Sequence, residues 1–154
     1  MDLPGQIISA VKYKSGKIDK LRFKERYFSF LRRLKDPRAD VCRFWDVKQK
    51  RIKEWYLNRK RDDDLIISAS PVFLVGEICR RTGIRHLLAS DVDIASGTFA
   101  SPNCYGSEKL RRFKEAFPGM QIEEFYSDSR SDQCLADIAE KAFIVKGEKV
   151  REWG

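Results

Sequence analysis

Histidine is nearly absent from this chain of 154 residues, which has a single one, His86. Its four cysteines lie far apart and form no C-x-x-C pair, so few ligands are available for a zinc site. No apolar run reaches the roughly 18 residues that a transmembrane helix needs, and the opening "MDLPGQ" lacks the residue order of a secretion signal. These absences predict a cytoplasmic protein with reduced thiols and no transmembrane segment.

Charge is present in quantity but is unevenly distributed. Residues 12–61 contain 19 Lys and Arg against 6 Asp and Glu, a net charge of +13, whereas the rest of the chain contains 12 against 17, a net charge of −5. We therefore predict a basic helical region over residues 1–61 and a core of different character over residues 62–154. A basic surface beside an acidic region suits an anionic ligand that approaches a site whose carboxylates hold a cation.

Apolar residues in the first region recur at steps of three and four, which is typical of helices. One such stripe predicts a helix capped by Asp19, with a buried face formed by Phe23, Tyr27, Phe30, Leu31 and Leu34. A shorter helix is predicted near Pro4. A third is predicted from "KDP" towards Arg61, with a buried stripe of Val41, Trp45, Ile52, Trp55 and Tyr56.

Beyond residue 64 the pattern alternates between short apolar runs and amphipathic stretches. The predicted strands are "LIISAS", "HLLAS", "IEEFYSD" and "KAFIVK", and the predicted helices are "PVFLVGEICRRTG", "GSEKLRRFKEAFPG" and "DQCLADIAE". The stretch "DVDIASGTFAS" is predicted to form a hairpin that turns at Ser96 and Gly97. This alternation predicts an α/β fold with a parallel sheet, whose ligands lie at the carboxyl ends of the strands.

Three polar clusters occur where such a sheet would place its ligand. Ser68 and Ser70 end one strand, where a hydroxyl and free backbone N–H groups suit a phosphate group, Lys109 begins a helix and can neutralise a phosphoryl group, and Asp128 follows another strand and suits Mg²⁺. Asp132, one helical turn further on, would position that site or hold Lys109. Ordinary explanations stay open: helix capping for the serines and Asp132, and a solvated surface position for Lys109.

The segments "IISAS", "GSEK" and "YSDSRSD" followed by "LADIAEKAFIV" give these clusters a joint interpretation. In this order, over about residues 64–146, they resemble the second, third and fourth motifs of the haloacid dehalogenase-like phosphatases, in the branch of the phosphoserine phosphatases. The resemblance implies a Rossmann-like core under a helical cap that selects a small phosphorylated substrate. It also implies roles for individual residues: phosphate binding by Ser68, Ala69 and Lys109, catalysis assisted by Lys109 and Asp132, and Mg²⁺ ligation by Asp128.

The first motif of that family, D-x-D-x-T after the central strand, has no counterpart before residue 64. Asp91 and Asp93 imitate it, but Thr98 stands too far along the chain. We therefore expect a core without its central strand and a chain without the nucleophile that forms the aspartyl phosphate. A gene start placed too late, a degenerate fragment, and a sheet completed by other strands or a partner would each explain this, and we favour the first.

Two other functions remain open for the sequence. The basic helical region, with its aromatic residues Trp45, Trp55 and Tyr56, would bind nucleic acid or an anionic membrane surface. Nucleic acid is not the expected partner, because aromatic residues at helical spacing more often belong to a core. The third possibility is a pseudoenzyme that binds phosphate and Mg²⁺ without turnover.

Overall fold

The structure, a computed structural model, describes residues 20–154 of the chain, and their side chains from residue 21 onward. The predicted helix near Pro4 and the predicted cap at Asp19 lie outside the described residues. From residue 20 to the end, none of the helices has the length and apolar character needed to cross a bilayer.

The basic region begins with helix α1, Lys20–Phe28, which tightens into a 3-10 helix over Ser29–Arg33. Leu31 is buried as predicted, with 5% of its surface exposed. Tyr27 was expected on the same face but is 46% exposed, so that part of the prediction is wrong. After Phe28 the helix narrows from 3.6 to 3 residues per turn, so the side chains of Ser29–Arg33 occupy other faces than a continuous α-helix would give them.

The predicted long helix towards Arg61 is instead three short helices. They are α2, Pro37–Lys48, a 3-10 helix, Gln49–Arg51, and α3, Glu54–Leu57. Asp36 caps α2 by accepting a hydrogen bond from the backbone N–H of Ala39 at 3.0 Å. The break falls at Ile52 and Lys53, whose backbones are extended. This break turns α3 so that Trp55 packs against Tyr126, with 5.2 Å between the ring centroids.

The alternation predicted beyond residue 64 is confirmed. The elements are β1 Leu65–Pro71, α4 Val72–Thr82, β2 His86–Ser90, α5 Ser107–Ala116, β3 Ile122–Ser127, α6 Gln133–Ala136, β4 Ala139–Lys146 and β5 Lys149–Glu152. Gly83 ends α4 with a positive φ of 75°, as a helix-terminating glycine does. The last helix is shorter than predicted, because Ala139 already pairs with Ile122 in the sheet. Strand β5 was not predicted.

The strand pairing gives the predicted α/β class with parallel strands. β1 pairs parallel with β2, β3 pairs parallel with β4, and β5 is added to β4 in antiparallel orientation. Helices α4 and α5 connect these strands, as in a Rossmann-like core.

Within residues 20–154 the strands form two separate sheets, β1-β2 and β3-β4-β5. β1 therefore has a neighbour on one edge only, and so does β3. Both strands lead into the polar clusters named above, so the split lies beside the candidate site. An unpaired strand edge presents backbone N–H and C=O groups that can accept a further strand.

Candidate functional site

Lys109 and Asp132 form a buried ion pair at the centre of the candidate site. The Nζ atom of Lys109 lies 2.6 Å from Oδ2 of Asp132. Lys109 is 8% exposed and Asp132 is 5% exposed, so water screens this pair poorly. Lys109 comes from the first turns of α5 and Asp132 from the 3-10 helix Arg130–Asp132 that follows β3. The fold thus joins the two predicted clusters that stand 23 residues apart in the chain.

The serines of "YSDSRSD" hold Asp132 in place. The hydroxyl of Ser127 donates to Oδ2 of Asp132 at 2.8 Å, which gives the carboxylate a second donor beside Lys109. Ser127 Oγ in turn accepts from the backbone N–H of Ser129, and Ser129 Oγ accepts from that of Ser131. The carboxylate of Asp132 makes no capping hydrogen bond to α6. The capping explanation is therefore not the arrangement found.

Lys109 has three basic neighbours on α5, and each of them has a different environment. Arg111 forms exposed ion pairs with Glu108 and Glu115 on its own helix. Arg112 donates to the carbonyl oxygen of Ala89 at 2.8 Å and so anchors α5 to the end of β2. Lys114 is exposed. Of the four cations, Lys109 is the one that contacts Asp132.

The end of β1 departs from regular strand pairing, and the side chain of Ser68 closes a turn with the backbone two residues further on. The N–H of Ser70 donates to Oγ of Ser68 at 3.1 Å, and the pairing with β2 is irregular between Ser68 and Pro71. Pro71 precedes the first turn of α4, and no side chain caps that helix. The capping explanation for Ser70 is thus not realised. We name residues 68–70 the serine turn.

Ser90 connects the serine turn to the segment that leads into α5. Its hydroxyl is completely buried and lies 3.2 Å from the carbonyl oxygen of Ala69 and 3.0 Å from Oδ1 of Asn103. The backbone N–H of Cys104 donates to the same hydroxyl at 3.0 Å. Burial raises the pKa of the Cys104 thiol, which keeps it neutral inside this region.

Sequence reasoning missed Ser90 and Asn103 as members of the site, and it also missed Lys24. Lys24 donates to the carbonyl oxygen of Ala69 at 2.6 Å and to Oδ1 of Asn103 at 2.9 Å. The sequence did contain a pattern that could have indicated Ser90, since "HLLAS" ends in serine at the carboxyl end of a strand, as "IISAS" does. For Lys24 there was none, because it is one of many cations in the basic region.

Asp128 is exposed and follows the last residue of β3. Its carboxylate makes no hydrogen bond or ion pair with residues 21–154, and so none with Ser68 or Lys109. The same part of the chain contains no group of three or more His, Cys, Asp or Glu side chains that could hold a metal ion.

Of the two aspartates that imitate the missing motif, Asp93 closes a turn, and Asp91 precedes the bridge that flanks it. The carboxylate of Asp93 accepts the N–H of Ser96 at 2.6 Å, and the hydrogen bonds from Ser96 lower the pKa of Asp93. Gly97 follows with a positive φ of 74°. The predicted turn at Ser96 and Gly97 is confirmed, although the flanking strands reduce to one antiparallel bridge, Val92 to Phe99. This geometry gives Asp93 a structural use.

Among the aromatic residues of the basic region, Trp45 and Trp55 contact residues of the core, whereas Tyr27 and Phe44 are exposed. The indole N–H of Trp45 donates to the carbonyl oxygen of Leu74 at 2.7 Å. Trp55 and Tyr56 are half-buried, and the indole N–H of Trp55 and the hydroxyl of Tyr56 are shielded from solvent. Burial raises the pKa of Tyr56 well above its usual value.

A family model described as haloacid dehalogenase-like hydrolase matches residues 3–137, which is most of the chain. Comparison with curated proteins gives no match, and comparison with solved structures gives none either.

Proposed function

Because this chain belongs to the haloacid dehalogenase-like hydrolases, a family of phosphatase type, we propose that it carries the phosphate-binding and Mg²⁺-binding part of a phosphomonoester hydrolase. We place it in the branch that resembles the phosphoserine phosphatases. Its substrate would be a small phosphorylated molecule, selected by the basic helical region over residues 1–61, which would act as a cap on the core of residues 62–154.

The observation that carries the proposal is the buried pair of Lys109 and Asp132. A surface lysine on α5 would serve solubility, but burying an ammonium group costs free energy that only a good partner offsets. Here Asp132 and Ser127 together fix the ammonium group near the carboxyl end of a parallel strand. Ligands of open parallel sheets bind at that end of the strands.

Each site residue has a task that its position supports. The ammonium group of Lys109 would neutralise the phosphate, while Asp132 keeps it oriented. The hydroxyl of Ser68 and the backbone N–H of Ala69 would donate hydrogen bonds to phosphate oxygens. Asp128 would supply the protein oxygen to Mg²⁺, which when bound balances the charge of the phosphate.

This chain would not perform the first chemical step by itself. Attack on phosphorus needs a carboxylate nucleophile, and the sequence has no D-x-D-x-T motif at the end of an apolar strand. The two sheets of residues 20–154, each with an unpaired edge strand beside the site, support a missing central strand. Losing the nucleophile of a catalytic unit lowers turnover on the order of 10⁶-fold, so we propose that residues 1–154 alone are inactive.

Calorimetry with inorganic phosphate and Mg²⁺ tests the binding half of this proposal. We expect binding of phosphate that requires Mg²⁺ and is lost in Asp128→Ala, because the protein oxygen for the cation is gone. Asp62→Ala, which removes an exposed carboxylate outside the site, is the matched control and should bind as the unaltered chain does. Phosphate binding that is independent of Asp128 would contradict the role assigned to that residue.

A further inference from the structure

Helix α1 of the basic region rests directly on the core, on the turn that contains Gly97. A carboxylate oxygen of Glu25 accepts the backbone N–H of Phe99 at 3.2 Å. The Nε atom of Arg32, just beyond α1, donates to the carbonyl oxygen of Ser96 at 3.0 Å. The rings of Phe28 and Phe99 lie 6.3 Å apart. These contacts join the helical region to Ser96 and Phe99 of the segment 91–100, which we name the docking turn.

Lys24 extends from the same helix beyond the docking turn and reaches the serine turn. Its ammonium group donates to the carbonyl oxygen of Ala69 at 2.6 Å, and this carbonyl stands between the two serines of that turn. The second contact, 2.9 Å to Oδ1 of Asn103, fixes the direction of the ammonium group. The ring of Phe99 lies 5.9 Å from Nζ, close enough for a cation–π contribution.

The contacts of Lys24 complete a small polar network around the buried hydroxyl of Ser90. Ser90 lies within hydrogen-bond distance of the two oxygens that Lys24 contacts, the Ala69 carbonyl and Asn103 Oδ1. Without the ammonium group, the hydroxyl of Ser90 would be the remaining donor to these two oxygens, and it has one proton to donate. In a buried network, such a loss loosens the neighbouring backbone as well as the contact itself.

We propose that Lys24 is a positioning residue of the site. Its ammonium group, which belongs to the helical region, donates a hydrogen bond to the Ala69 carbonyl and thereby orders the serine turn for an anionic ligand. It does not touch the reacting atoms, since it acts through Ala69 and Asn103. The ordering of the turn by Lys24 stands on the contacts above. Only the identity of the anion rests on the proposed function, and there we commit to a phosphate group.

Docking of α1 and phosphate binding at the serine turn should be thermodynamically coupled. If docking of α1 orders the turn, then a phosphate bound at the turn must stabilise the docked helix by the same factor, because coupling between two sites is reciprocal. The coupling has a direct observable, since backbone amides in α1 and in the serine turn exchange their hydrogens more slowly when these elements are held together.

Hydrogen–deuterium exchange followed by mass spectrometry tests the proposal on the full chain. Lys24→Met keeps the length of the side chain but removes its charge and its donors, and we expect exchange in the serine turn to become roughly tenfold faster, the effect of losing a charge-assisted hydrogen bond. Lys24→Arg should restore slow exchange, which a purely space-filling role would not require. Lys35→Met, an exposed cation of the same region, is the control and should exchange as the unaltered chain does.

The same measurement with inorganic phosphate and Mg²⁺ separates this proposal from the proposed function. Slower exchange of α1 on adding phosphate, lost in Lys24→Met, supports both. If phosphate changes nothing in the unaltered chain while Lys24→Met still exchanges faster in the serine turn, the phosphate site fails and the role of Lys24 stands. Should Lys24→Met not fold, Asn103→Ala removes one acceptor and should give the same acceleration. Exchange in the serine turn that is unchanged in the folded variant would overturn the proposal.

Discussion

At the scale of single residues, the buried pair of Lys109 and Asp132 is the place where a substitution has the clearest physical cost. In Lys109→Met the carboxylate of Asp132 stays buried with Ser127 as its remaining side-chain partner at short distance. An uncompensated buried charge lowers the free energy of unfolding by about 3–5 kcal/mol. Urea denaturation at neutral pH measures this loss through the midpoint and slope of the transition.

The matched control for this substitution lies on the same helix. Arg111→Met removes a cation that also has acidic partners, but its side chain is 55% exposed. Exposed pairs contribute less than about 1 kcal/mol, so the two variants should differ clearly. A loss in Lys109→Met no larger than that in Arg111→Met would show that the pair is not structurally important.

Sequence reasoning at this scale succeeded where a motif fixes residue type and spacing. The sequence predicts that Asp132 either positions the Mg²⁺ site or holds Lys109, and the structure shows the contact with Lys109. Ser90, Asn103 and Lys24 were missed because their roles depend on contacts across many residues of sequence, such as the 79 between Lys24 and Asn103. No local pattern marks which lysine of a basic helix reaches such a partner.

At the scale of elements, the docking turn makes a prediction about glycine. Gly97 has a φ of 74°, and a Cβ atom placed there would lie 2.5 Å from the carbonyl oxygen of Phe28. Gly97→Ala therefore combines backbone strain with a clash against the helical region, and we expect a loss of roughly 1–3 kcal/mol in the free energy of unfolding. The same urea titration measures it.

Gly119→Ala separates these two causes. Gly119 has a nearly identical φ of 76°, but a Cβ atom there would meet nothing within 4 Å. Its substitution should cost only the backbone strain, so the difference between the two variants reports the close approach of Phe28. Equal losses would mean that the helical region does not press on this turn in solution.

The pattern of apolar residues predicted the elements beyond residue 64 better than it predicted the helices before it. The strands and helices beyond residue 64 were predicted well, because apolar runs bounded by Pro71, Gly83 and Gly119 leave few alternatives. The helix expected to continue towards Arg61 broke at Ile52 and Lys53. Beyond the break, Glu54–Leu57 is helical again, and Trp55 of this short helix packs against Tyr126 of β3, a tertiary contact that the periodic pattern did not predict.

At the scale of the whole molecule, the α/β class followed from the alternation of elements, and the strand pairing confirms it. Within residues 20–154, β1 and β3 each have one unpaired edge, and a missing central strand between them stays a prediction. The boundary near residue 61 between helical region and core stays a prediction, as do the Mg²⁺ dependence and the cytoplasmic location.

The most direct measurement compares hydrolysis of p-nitrophenyl phosphate, in the presence of Mg²⁺, by two proteins: residues 1–154 and the same chain extended at its N-terminus by an apolar strand that ends in D-x-D-x-T. We predict no turnover by the chain alone and turnover by the extended chain, abolished when the first aspartate of the added motif becomes asparagine. Turnover by residues 1–154 alone that is lost in Asp91→Asn or Asp93→Asn would contradict the central claim, because the nucleophile would then lie in the turn that we regard as structural.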